Sequence, residues 1–90
     1  MVVVWRTGAL RDLETILAHL LDINPSAALD QVDLIDEAGK SLRRLSERGS
    51  IGAQLGTREL KVLHTPYTLI YRVTDTIEIL RVWPERIQRS

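Results

Sequence analysis

The groups through which this chain could do chemistry are cations gathered in its second half. Arg58, Lys61, Arg72 and Arg81 fall on strand-like runs, and Arg86 and Arg89 fall in the tail behind them. Cations of this kind hold anions, through charge-assisted hydrogen bonds to carboxylates or phosphates. Strand alternation divides them. Arg58 shares a parity with Leu60 and Val62, whereas Lys61 goes with Glu59 and Leu63. Arg72 falls with Thr68 and Ile70, opposite Tyr67, Leu69, Tyr71 and Val73, which are the better core set. Tyr67 and Tyr71 therefore read as packing residues with a wet hydroxyl. The cations cannot all face one site.

Other chemistries find little support. His19 and His64 are far apart, one on a predicted helix and one in a turn, so no close-spaced metal-ligand pair exists and no metal is expected. His64, just before Thr65-Pro66, reads as a polar turn residue. There is no Gly-rich phosphate loop, no serine elbow motif and no cysteine, so no cofactor, thiolate nucleophile or disulfide framework is expected. Asp12 with Glu14, or Glu59 with Glu78, make conceivable carboxylate pairs, but nothing in the sequence isolates either.

The elements that must position these residues fit in one small domain of 90 residues. Its 12 basic and 12 acidic side chains balance, which argues against tight nucleic-acid binding by bulk charge. Residues 51–90 nevertheless carry 6 basic against 4 acidic groups, enough for a modest basic face. The apolar run Met1 to Trp5 is too short for a signal-peptide core or a membrane span, and the expectation is a soluble, cytoplasmic protein that meets no membrane.

Val2 to Trp5 reads as a first strand. Leu10, Leu13, Leu17, Leu20 and Leu21, with Ile16 beside them, recur at helical spacing and predict a helix from about Gly8 to Asp22. Asn24-Pro25 stops it and starts a second helix, expected to run to about Glu47 with Ala28, Val32, Ile35, Leu42 and Leu45 on its buried stripe. Gly39 stands inside it as a weak point costing roughly 1 kcal/mol relative to Ala. Asp30, Asp33, Asp36 and Glu37 precede Lys40, Arg43, Arg44 and Arg48, an order that suits the helix dipole and pairs such as Asp36 with Lys40. Arg48 to Leu55 reads as a loop. Thr57–Leu63, Tyr67–Val73 and Thr76–Val82 then form a three-stranded antiparallel meander. The fold expected is α+β, β-α-α-β-β-β, an antiparallel sheet covered on one face by a helical hairpin, with residues 83–90 as a tail.

The segments GTREL, TPYTLIYRV and IEILRV, in this order of elements, resemble the RelE/ParE superfamily of bacterial toxins from type II toxin–antitoxin pairs, from Val3 to about Val82. The resemblance implies a cognate antitoxin partner in a toxin–antitoxin hetero-oligomer, with an antitoxin segment adding a strand to a sheet edge and burying a helix in a groove. It implies three functional alternatives. The first is a ParE-like growth inhibitor that binds DNA gyrase without catalysis, for which Trp83, Arg86 and Arg89 are the target-binding candidates. The second is a RelE-like, metal-independent endoribonuclease acting on mRNA at the ribosome, with Arg58, Lys61, Arg72, Arg81 and His64 as candidates. The third is an inactive relative that retains only antitoxin binding.

Two departures bear on the second alternative. Related nucleases resemble one another in having Arg where this chain has Thr68 in Tyr67-Thr68-Leu69-Ile70-Tyr71. After Arg81-Val82 the chain passes directly to Trp83-Pro84, and no Tyr or His follows Val82 to move a proton.

Overall fold

The computed structural model describes residues 1–85. In chain order they form β1 (Val3–Trp5), α1 (Thr7–Ile23), α2 (Pro25–Ser41), β2 (Ser50–Ile51), β3 (Arg58–Lys61), β4 (Tyr67–Val73) and β5 (Ile77–Pro84). One sheet holds all the strands in the order β1-β5-β4-β3-β2. The expected α+β class and the β3-β4-β5 meander are present. The sheet is mixed rather than wholly antiparallel, because β1 pairs in parallel with β5, Val3 opposite Ile77 and Trp5 opposite Ile79. The first strand thus lies beside the last. A two-residue strand, β2, also pairs with β3 inside the segment expected to be loop.

The helix break is the one written in the sequence. The Asn24 side chain accepts a hydrogen bond from the Ala27 N–H at 3.3 Å, Pro25 occupies the first turn of α2, and the Asn24 N–H caps α1 by donating to the Leu20 carbonyl at 2.7 Å. The faces differ in detail. On α1 the buried stripe is Ala9 and Ile16, with Leu13 and Leu20 packed beside them, while Leu10 and Leu21 stay about half exposed. Leu13, Ile16 and Leu20 of the expected pattern thus face the core, and Ala9 rather than Leu10 completes the stripe. On α2 Ala28 and Ile35 are fully buried, as is Leu42 at its C-cap, but Leu45 beyond the helix is exposed.

Helix α2 ends at Ser41, a turn and a half short of Glu47. The backbone beyond it is held by the sheet. The Tyr71 hydroxyl donates to the Ser46 carbonyl at 2.8 Å and accepts from the Gly49 N–H at 2.9 Å, while Arg58 Nη1 donates to the Gly49 carbonyl at 2.8 Å. These bonds satisfy groups that would otherwise continue or cap the helix.

The core lies between helices and sheet and is built from Leu60, Val62, Tyr67, Leu69, Tyr71, Ile77, Ile79 and Val82 against Ala9, Ile16, Ile35 and Leu42. Val73, at the end of β4, escapes it and is exposed. A bulge breaks the alternation of β5. Tyr71 pairs with Ile79 but Ile70 pairs with Arg81, so Leu80 is an extra residue. Ile77, Ile79 and Val82 consequently all reach the core. Arg81 and Trp83 turn with Ile70 and Thr68 to the face that the helices leave open.

Candidate functional site

The cations predicted from the sequence are distributed over the sheet. Arg58 lies on the core side at the rim, next to Tyr71 in the β3–β4 register, and spends its guanidinium on the carbonyls of Gly49 and Glu47. Lys61, on the open face opposite Thr68, pairs with Glu85 at 3.0 Å. Arg72 also faces outward and makes a two-pronged contact with Glu78, Nε to Oε2 at 2.9 Å and Nη2 to Oε1 at 3.1 Å. Arg81 grips Asp12 of α1 in the same bidentate way, at 2.8 and 2.9 Å. His64 is exposed at the tip of the β3–β4 turn, where its φ of 67° is the positive value that the turn closed by Thr65 N–H to Val62 carbonyl demands. Arg86 and Arg89 lie outside the described residues.

Only part of this set is brought together. Along the open face, one cross-strand row reads Lys61, Thr68, Trp83, and the next reads Glu59, Ile70, Arg81. The Arg81 guanidinium carbon lies 5.0 Å from the centroid of the Trp83 ring, a cation–π contact. Arg72 sits a row further on, and Arg58 is on the other face. Thr68 is almost completely buried, and its hydroxyl is without a hydrogen-bond partner. Tyr67 contributes to the core, and burial pushes its phenol up from the ordinary value, away from the range of a general base near neutrality. Among the described residues, no group of three or more His, Cys, Asp or Glu could hold a metal ion.

The carboxylates are the residues that sequence reasoning passed over. Glu78 is 5% exposed although it is charged, and it receives Arg6 from the β1–α1 junction at 2.9 Å as well as Arg72. The hydrogen bonds from Arg72 and then Arg6 lower its pKa from 4.5 to about 2. A charged residue between Ile77 and Ile79 was the one available signal. Because the folded-state value lies below the ordinary one, this carboxylate adds stability that is fully present above about pH 4.5 and is lost as the pH falls toward 2. Acid titration of unfolding should therefore show a downward limb across that window. In Glu78→Gln the limb should be reduced; an unchanged limb would show that other carboxylates produce it.

Electrostatically the open face is quiet. Each described cation on it already holds a carboxylate, Lys61 with Glu85, Arg72 with Glu78 and Arg81 with Asp12. The same face carries the cation–π pair of Arg81 and Trp83.

Comparison with known proteins agrees with the architecture. Residues 3–89 match the family described as the ParE toxin of the type II toxin–antitoxin system, parDE. The candidate toxin Y4kP of Sinorhizobium fredii is 34% identical over 87 residues, which cover 90% of this chain and 91% of that protein. Among solved structures, a chain of the chromosomal ParDE toxin–antitoxin system from P. aeruginosa superposes with a TM-score of 0.83 at 31% identity, covering 93% of this chain and 95% of its own. A chain of the RelBE2 toxin–antitoxin complex from Mycobacterium tuberculosis is more distant, with a TM-score of 0.59 at 27% identity over 92% of this chain and 88% of its own. With a family match along nearly its whole length and an overall fold that superposes on a ParDE chain, this protein belongs to the ParE toxin family of type II toxin–antitoxin systems.

Proposed function

We propose that this toxin inhibits growth by binding DNA gyrase, without catalysis, and that a cognate antitoxin neutralises it by covering the same small domain. The observation that supports a binder is the pairing of the sheet cations. A metal-independent ribonuclease needs cations free to meet the charge that develops on a phosphoryl group in the transition state. Arg72 is committed to Glu78, Arg81 to Asp12, Lys61 to Glu85 and Arg58 to backbone carbonyls. Thr68, buried and neutral, stands where related nucleases place an arginine, and the phenol of Tyr67 is held protonated by burial. A binding surface loses nothing by such pairing. The partially buried Trp83, with Arg81 over its ring, has the character of an interface anchor, and Arg86 and Arg89 follow it in sequence.

The antitoxin is inferred from the company of the relatives, since both solved neighbours come from toxin–antitoxin assemblies. The chain offers what such a partner needs: a two-residue strand, β2, at one sheet edge, and exposed Leu10, Leu21 and Leu29 on the helices.

Induction of this chain alone in a bacterium, followed by labelled thymidine and labelled methionine, tests the reading. Thymidine incorporation should fall within minutes while methionine incorporation continues. A first collapse of methionine incorporation would instead assign the toxin to the ribosome and mRNA. No change in either would leave an inactive relative that retains antitoxin binding.

A further inference from the structure

Strand β5 is covered by β1 only from Ile77 to Ile79. Beyond that point its outer edge has no neighbouring strand among the described residues, because the chain turns at Arg6, whose N–H donates to the Ile79 carbonyl at 2.9 Å, and enters α1. Asp12, in the second turn of α1, takes over that edge. Its carboxylate accepts the Val82 backbone N–H at 2.8 Å and, at the same time, Arg81 Nε at 2.8 Å and Nη2 at 2.9 Å. The Asp12 side chain is only 15% exposed, whereas that of Arg81 is 45% exposed, so the carboxylate is the sheltered and fixed member of the pair. Gly8, one turn earlier, is where the stem of Arg81 crosses the helix: a Cβ there would lie 3.1 Å from Arg81 Cδ and 3.0 Å from the Leu80 carbonyl oxygen. Arg81, fixed from below, then lies over the Trp83 ring.

We propose that Asp12 is a positioning residue for target binding: by gripping Arg81 it fixes, through the cation–π contact, the orientation in which Trp83 is presented on the helix-free face. This rests on the reading of Trp83 as the anchor for gyrase. An indole that already holds its bound rotamer loses less side-chain freedom on association. A single exposed ion pair would achieve little, but a bidentate guanidinium tied to a carboxylate that also caps the backbone has one orientation. The bulge at Leu80 is part of the device, since with unbroken alternation from Ile79 Arg81 would point into the core.

A double-mutant cycle on the full chain, read as affinity for purified DNA gyrase, separates positioning from mere folding. Asp12→Asn retains an oxygen for the Val82 N–H, so the edge stays capped, but it removes the charge that holds Arg81. It should weaken binding about tenfold, and Trp83→Ala by at least as much. The double variant should bind no more weakly than Trp83→Ala alone, because Asp12 acts through Trp83. Additive losses, or an Asp12→Asn affinity within about twofold of the unaltered chain while Trp83→Ala is impaired, would overturn the proposal. If Trp83→Ala binds gyrase normally, the anchor reading fails and the proposal with it, a result distinct from the other two. Fluorescence gives a second arm that needs no partner. The difference between the chain and its Trp83→Phe variant isolates the Trp83 emission from that of Trp5, and Asp12→Asn should alter it; unaltered Trp83 emission would show that Asp12 does not orient the ring.

Discussion

Tyr71→Phe is expected to destabilise the fold by about 2–3 kcal/mol, although it removes one oxygen atom and keeps the ring. Tyr71 is fully buried at the centre of the core, and its hydroxyl joins two groups of the segment that follows α2, the Ser46 carbonyl and the Gly49 N–H. With Phe in its place the ring still packs, but a buried donor and a partly buried acceptor lose their partner. Each such group costs on the order of 1–3 kcal/mol when it is left unmade. For a domain of this size the midpoint of thermal unfolding should fall by roughly 10–20 °C. Calorimetry or urea denaturation measures this directly. A loss below about 0.5 kcal/mol would mean that the 46–49 segment finds other partners when the hydroxyl is gone. The same bonds hold the segment beyond α2, so amide exchange in Tyr71→Phe should quicken most over residues 46–49 and only slightly in β4.

Gly39→Ala should also destabilise, by about 1–2 kcal/mol, against the sign expected of a glycine in a helix interior. Helix propensity alone favours Ala by roughly 1 kcal/mol. At this position, however, a Cβ would stand 2.5 Å from Trp5 Cζ2 and 3.0 Å from Ile79 Cδ1, and both belong to strands paired with each other. Trp5 is the last residue of β1 and packs against the core where α2 crosses, so it has little room to retreat. Overpacking typically costs about 1–3 kcal/mol and outweighs the gain in propensity. Equilibrium unfolding decides the sign, and a stabilised variant would show that the Trp5 ring moves freely. A double variant with Trp5→Leu should recover much of the loss, because the residue that the methyl displaces is then smaller.

Much of the fold was legible because its signals are local. The meander was readable from alternating β-branched and aromatic runs separated by His64-Thr65-Pro66 and Thr74-Asp75. The helical hairpin was readable from Asn24-Pro25, whose capping chemistry acts within a few residues of itself. Period-two alternation alone places Tyr67, Leu69 and Tyr71 in the core and Lys61 and Arg72 on the opposite face, but Val73 of the same set is exposed, and the Tyr71 hydroxyl, expected to be wet, is bonded to the Ser46 carbonyl and the Gly49 N–H. The resemblance to RelE/ParE toxins rested on the same segments, and the family match confirms it.

The parts that were not legible depend on atoms distant in sequence. Helix α2 has a helical pattern up to Glu47, yet it ends at Ser41, and Tyr71 and Arg58 hold the backbone of residues 46–49 beyond it. The leucine pattern of α1 places Leu13, Ile16 and Leu20 on the core side, but Ala9 rather than Leu10 or Leu21 completes that face, which leucine spacing alone does not show. Period-two alternation cannot foresee the extra residue Leu80, which sends Arg81 outward although Ile79 points in.

The candidate site was legible as a set of residues and not as an arrangement. Arg81, Arg72 and Trp83 could be named from their types, but the identity of their partners could not. Asp12 and Glu78 look like ordinary surface acids in the sequence, and only the packing of α1 and β1 against β5 sets them beside Arg81 and Arg6. The sequence by itself determined the elements, the class of fold and the family, because capping and hydrophobic period act over a few residues. The tertiary structure alone decided which charges are neutralised, since an ion pair forms between groups that folding brings within about 3 Å whatever their separation along the chain.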